Sequence, residues 1–148
     1  MPVKSFRGLL KNGGQDTINL HTNDGSTGYT IKKFEVISQS PGDGSVDLIV
    51  KIWKIEQATV PTTAATIDMS DNTLLAVAHY SAGTTYFNQD TTIVFDNEVF
   101  NQDIYVTLTD NDGNDACNYY IELEQIKLDL SENTVATLKD IRNIVAHE

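Results

Sequence analysis

Short runs of alternating apolar and polar residues dominate the chain as far as residue 130, and glycine, asparagine, aspartate or proline separates them. That alternation is the mark of strands buried on one face. Val3–Leu10 is the first such run. Asn12-Gly13-Gly14 follows, with residues that tolerate positive φ in a hairpin turn. Gln15–His21 returns, placing Ile18 and Leu20 on one face. Asn23-Asp24-Gly25 and Gly28 form the next turn. In Tyr29–Ser38 the apolar parity changes, from Tyr29 and Ile31 to Phe34 and Val36. A strand repeats every two residues, so the change predicts a β-bulge or twist near Lys32-Lys33. After the loop Ser40–Gly44, Val46–Ile55 carries apolar residues on both faces, as a central strand does.

Gln57–Asn72 is polar, rich in threonine and broken by Pro61. It reads as a long loop of the kind that often forms a contact surface, with a short candidate strand at Ala65–Met69. Four more strands follow at Leu74–Ser81, Thr92–Phe95, Asp103–Thr109 and Ala116–Leu130. The last shows a second parity change, from Tyr119, Ile121 and Leu123 to Ile126, Leu128 and Leu130. This predicts a bulge near Glu124-Gln125. From Ser131 the period becomes helical. Ser131 is a good N-cap, Glu132 suits the first turn, and Val135, Leu138, Ile141 and Val145 share one face. That face is expected to pack on the β domain or on a neighbouring copy. The predicted fold is mainly β: a single jelly-roll-like β-sandwich over 1–130, with a short C-terminal α-helix over 131–148.

Charge changes the picture. The chain carries 10 basic and 21 acidic residues, a formal charge of −11. No lysine or arginine occurs from Gln57 to Ile126, whereas twelve acidic residues lie between Glu56 and Glu124. A field of that sign repels nucleic acid and anionic lipid, so neither is an expected partner. No apolar run approaches the roughly 18–20 residues of a membrane span. The opening MPVKSFRGLL lacks the apolar core of a signal peptide, and synthesis in a cytoplasm is the expectation. Cys117 is the only cysteine, so an intrachain disulfide is excluded.

No constellation of residues points to catalysis, and no cofactor is expected. The sequence Asp110-Asn111-Asp112-Gly113-Asn114-Asp115 gathers oxygen donors and makes Asp110, Asp112, Asn114 and Asp115 a weak candidate cation site. An EF-hand loop would need glycine sixth and glutamate twelfth. Here Gly113 is fourth and Ile121 twelfth, so a hairpin turn is the better reading. His21, His79 and His147 lack a second ligand at metal spacing. Cys117 reads as a small buried apolar residue rather than a nucleophile. Trp53, Tyr119 and Tyr120 could line a sugar platform, but core packing suits Trp53 better. Lys32-Lys33 with Lys51 and Lys54 could form a basic patch across neighbouring strands.

Three stretches resemble small virion structural proteins of marine tailed bacteriophages. They are Val3–Gly8 (VKSFRG), Asp71–Leu75 (DNTLL) with Ile93–Tyr105 (IVFDNEVFNQDIY), and Ala116–Asn143 (ACNYYIELEQIKLDLSENTVATLKDIRN). Together they cover about half the chain; positions 41–70 and 81–90 match least. The resemblance implies a head decoration or cement protein, made in the host cytoplasm and carried on the capsid surface. It implies the major capsid protein and further copies of itself as partners, with a homotrimer favoured. A tail, baseplate or head–tail connector component is the alternative within the virion, and a carbohydrate-binding adhesin module the alternative outside it. Under the decoration reading, the acidic block (Asp68, Asp71, Asp90, Asp96 and Asp112 among it) faces outward. Lys4, Arg7, Lys11, Lys32 and Lys33, together with the helix residues Val135, Leu138 and Ile141, then supply the capsid or intersubunit contact.

Overall fold

Strands form where the alternation predicts them. A computed structural model of the chain describes residues 2–23, 25–42, 45–83, 89–95, 98–129 and 137. Eight strands run through them: β1 (Val3–Leu10), β2 (Gln15–Ile18), β3 (Thr27–Ser38), β4 (Val46–Trp53), β5 (Leu74–Ala82), β6 (Gln89–Val94), β7 (Ile104–Asp110) and β8 (Cys117–Lys127). They make two antiparallel sheets. One has three strands in the order β1-β8-β3, the other five in the order β2-β7-β4-β5-β6. Gly13 turns the β1–β2 connection with a φ of 79°, as its place after Asn12 predicts.

Inward residues of both sheets meet in one buried cluster. Leu48 and Ile52 of β4, Ile104 and Leu108 of β7, and Ile121 and Leu123 of β8 are fully buried in it. The fold is therefore mainly β and sandwich-like. β4 lies between β7 and β5, the central place its apolar content predicts.

The bulge in β3 is found where parity predicts it, with the β3–β8 register shifting between Ile31 and Lys33. The second expected bulge is not there. β8 stays in step with β3 through Glu124 and Gln125, which pair with Thr30 and Tyr29. The parity change in β8 has a different cause. The β1 register ends with Val3 opposite Glu124, and Leu128 is buried only after the strand has ended, its amide donating to the Ser26 carbonyl at 2.8 Å.

Residues 54–73 form no strand, including at Ala65–Met69. They cover the outer face of the five-stranded sheet, held there by residues of β2, β4 and β7 and of the adjoining turns. Of the expected helix over 131–148, only Thr137 is among the described residues, so the face built on Val135, Leu138 and Ile141 lies outside them. The Thr137 hydroxyl accepts a hydrogen bond at 2.8 Å from the side-chain amide of buried Asn101. Among the described residues no helix is long and apolar enough to cross a membrane.

Candidate functional site

The outer faces of the two sheets differ. On the five-stranded sheet, Ile49, Lys51 and Trp53 of β4 lie beneath the 54–73 segment. The strands and turns below hold that segment by its main chain. Asn111 both accepts from the Ala65 amide at 2.8 Å and donates to the Ala65 carbonyl at 3.2 Å. Gln15 makes the same paired contact with Gln57, at 2.8 and 3.0 Å. Asn12 donates to the Thr62 carbonyl at 3.0 Å, and the Thr109 hydroxyl to that of Pro61 at 2.6 Å. Lys51 donates to the Thr66 carbonyl and sits over the Trp53 ring, 5.3 Å from its centroid. Partial burial lowers the Lys51 pKa, against the pull of Asp71 and Asp68. The segment expected to be a contact surface is thus a fixed cover, exposed on its far side.

Among the described residues, no such cover lies over the outer face of the three-stranded sheet at β1 and the end of β3. Ser5, Arg7 and Leu9 of β1 point outward, as do Asn118, Tyr120 and Glu122 of β8 and Lys33, Glu35 and Ile37 of β3. Their registers align them in rows. Leu9 and Ile37 flank Asn118, Arg7 and Glu35 flank Tyr120, and Ser5 and Lys33 flank Glu122. Leu9 is 46% exposed and Ile37 63%, unusual for large aliphatic residues at strand interiors. An open groove of 510 Å³ runs across the first two rows. The Tyr120 hydroxyl donates to Glu122 at 2.7 Å, and that bond is the leading cause of its raised pKa.

The expected basic contact residues are partly brought together. Lys4 and Arg7 on β1 and Lys32 and Lys33 on β3 share the three-stranded sheet, and Lys11 lies just past the end of β1. They do not form an unbroken basic surface. Glu122 and Glu124 of β8 stand between them, with Lys32 paired to Glu124 at 2.9 Å and Lys33 near Glu35 at 3.7 Å. The patch expected from Lys32, Lys33, Lys51 and Lys54 does not form, because β4 belongs to the other sheet. Lys54 is buried and paired with Glu98 at 3.1 Å. Nothing in the alternation marks that ion pair, since its partners lie on separate, irregular segments.

The weak cation candidate is a turn built around a carboxylate. Asp110 is fully buried. One of its oxygens accepts from the amides of Asp47 and Asp112 at 3.1 and 3.0 Å, the other from the amide of Asp115 at 3.0 Å. Asp112 accepts from the Ser45 hydroxyl at 2.6 Å. This is the hairpin reading, in which aspartate replaces main-chain acceptors. Among the described residues no group of three or more histidine, cysteine, aspartate or glutamate side chains could hold a metal ion.

The histidines occupy separate places. His79 contacts Asp47 at 2.5 Å on β5 and β4, and His21 contacts Asp103 at 2.7 Å. Burial raises the Asp103 pKa, but hydrogen bonds from the His21 ring and from the His21 and Leu20 amides outweigh it and leave it lowered. Cys117 is buried, and burial pushes its thiol up to about 12, which suits a core residue rather than a nucleophile. Trp53, Tyr119 and Tyr120 do not converge. Trp53 is half-buried under the 54–73 segment and donates to the Thr107 hydroxyl at 3.0 Å, so it lies outside the core expected for it. Tyr119 points into the core, and Tyr120 onto the opposite outer face.

The outward Leu9 and Ile37 are the features sequence reading missed. A signal was present: Leu9 beside Leu10 and Ile37 beside Val36 each put apolar residues on both sides of a strand.

No protein-family model matches the chain, and no curated protein matches it. Among solved structures, a chain from the Bacillus endospore appendages, a family of disulfide-linked pili, is similar over 86% of this chain and 89% of its own, with a TM-score of 0.33 and 5% identity. A likeness that distant carries no argument about function.

Proposed function

We propose that this chain is a virion structural protein of the head decoration type, binding the major capsid lattice in many copies and stabilising the head. The observation that carries the reading is the division of charge and cover between the two sheets. The strands of the three-stranded sheet hold five basic and three acidic residues, whereas those of the five-stranded sheet hold one basic and four acidic. Asp90 on β6 is among those four, and Asp68 and Asp71 in the covering segment and Asp112 in the 110–115 turn add to the acidic side. Asp96 lies outside the described residues. A face close to neutral can approach a lattice or a neighbour at low electrostatic cost, and an acidic far side keeps crowded copies soluble.

Two further points support it. β8 and most of β1, neighbours in the three-stranded sheet, fall in stretches that resemble the phage proteins. The least similar positions, 41–70 and 81–90, include most of the covering segment. The strand pairing is also jelly-roll-like: β1 with β8, β8 with β3, β2 with β7, β7 with β4 and β4 with β5. β6 departs from that scheme by pairing with β5 rather than β3.

Copy number in purified particles tests the reading. Hundreds of copies per particle fit decoration, about six or twelve fit a connector or tail component, and absence from virions defeats both. Reversing Lys4, Arg7 and Lys11 to glutamate is expected to lower occupancy on expanded capsids with the fold intact. Full occupancy of that variant would remove these residues from the docking surface.

A further inference from the structure

We infer that the outer face of the three-stranded sheet is a self-association surface, which takes a second copy of this chain about a two-fold axis running along β8. The inference stands on the register of β1, β8 and β3 and does not depend on which particle the protein serves.

The rows across the sheet give the reason. A two-fold axis parallel to β8, between two sheets packed face to face, keeps each row at its own level and exchanges its ends. β1 of one copy then lies over β3 of the other. Arg7 faces Glu35 of the second copy, and Glu35 faces its Arg7, with the two Tyr120 rings between them. Leu9 faces Ile37, and Ile37 faces Leu9, one row along. The aliphatic side chains that are exposed in the single chain are thereby covered, and both charges on the Tyr120 row are matched. In the third row Glu122 meets Glu122, each beside its cross-strand partner Lys33. The perpendicular two-fold axis in the same plane gives the opposite outcome: Arg7 meets Arg7 and Glu35 meets Glu35. Charge therefore selects one axis over the other.

The chain leaves these groups available for the contact. Arg7 and Glu35 are both exposed, stand on opposite sides of β8, and make no ion pair with each other; Lys33 lies 3.7 Å from Glu35, an exposed contact that a second copy's Arg7 can share. Sheets that pack face to face do so about 10 Å apart at a small angle, so rows near the axis stay aligned. Three strands of about eight residues span roughly 14 by 26 Å. That footprint, roughly 360 Å² per copy, falls below the range of stable interfaces, so the dimer should be weak and concentration-dependent.

Charge exchange tests this on the purified full-length chain by sedimentation velocity across a concentration series at low salt. The unaltered protein is expected to pass from monomer to dimer. Arg7→Glu alone and Glu35→Arg alone should each raise Kd at least about tenfold by setting like charges together. The double variant R7E/E35R restores both pairs at once and should return Kd to within about threefold of the original. It also controls for folding, since it carries both substitutions. A protein that remains monomeric, a trimer unaffected by either single change, or a double variant no better than the singles overturns the proposal. No capsid enters the measurement. A failed decoration assay would leave the dimer standing, and a failed rescue would leave decoration to be judged on its own.

Discussion

Tyr119 of β8 reaches across the core to Asp16 of β2, its hydroxyl donating to the carboxylate at 2.8 Å. The two residues belong to different sheets, so one hydrogen bond links the inward face of the three-stranded sheet to an edge strand of the other. Burial pushes the Tyr119 pKa up, and the bond to Asp16 adds to it. Tyr119→Phe keeps the ring and removes only the link. It should lower stability by about 1.5–3 kcal/mol, the range for a hydrogen bond to a charged group, read as a shifted denaturant midpoint with an unchanged slope.

Gly8 makes room for that ring. It pairs with Tyr119 across β1 and β8, and a Cβ there would lie 2.8 Å from the Tyr119 hydroxyl oxygen and 2.9 Å from its ring carbons. Gly8→Val should therefore destabilise by about 1–3 kcal/mol through overpacking. Gly8→Val in a Tyr119→Leu background should cost less than the two single effects combined. Strict additivity in thermal unfolding would show that ring and backbone are not in conflict.

Asn111 holds the covering segment with two bonds to the Ala65 main chain. Asn111→Ala should leave the sheets assembled while loosening residues 57–70. Hydrogen exchange at the Ala65 amide should rise by at least about tenfold, the effect of losing roughly 1.4 kcal/mol of local stability. Unchanged protection there would show that Gln15, Asn12 and Thr109 suffice without it.

Stability should decline in alkali for a nameable reason. Cys117 has an ordinary pKa of 9.0 that burial raises to about 12. The unfolded thiol ionises first, so the stability it contributes is complete below pH 9.0 and is lost as pH climbs toward about 12. Tyr119 acts in the same direction, beginning at its ordinary 10.0. Cys117→Ala should flatten the fall of Tm with pH over this window, and Tyr119→Phe should flatten it further at the upper end. An unchanged slope in both variants would assign the alkaline limit to other groups.

Strands and their faces were legible in the sequence because local alternation reports burial on one face. Val3–Leu10 is legible at its full extent, and the shift from Ile31 to Phe34 places a bulge near Lys32-Lys33, where the register shifts. Failures came where a partner element decides the outcome. The β8 parity change looked like a bulge, but its cause is the end of β1 at Val3. Trp53 sits in an apolar run, yet β4 turns it outward, and a polar segment rather than the core covers it. The fate of Lys51 and Lys54 depended on sheet membership, which no local pattern encodes. The outer face carrying Arg7, Glu35, Leu9 and Ile37 was hidden for the same reason. β1 and β3 are far apart in sequence and become neighbours of β8 only through the topology.

Across residues 57–66 the hydrogen bonds from the strands and turns beneath grip the covering segment by its peptide groups. Asn12, Gln15, Lys51, Thr109 and Asn111 all bind main-chain atoms of residues 57–66, and none of these contacts uses a side chain of the segment. Its path is thus written in the strands and turns beneath it, while its own outward side chains, such as Thr59, Thr63, Ile67 and Met69, are free of that duty. A lineage could rewrite those positions at little cost to folding. An engineer could use the same latitude to display a foreign peptide there, on a scaffold that already knows where the chain must run.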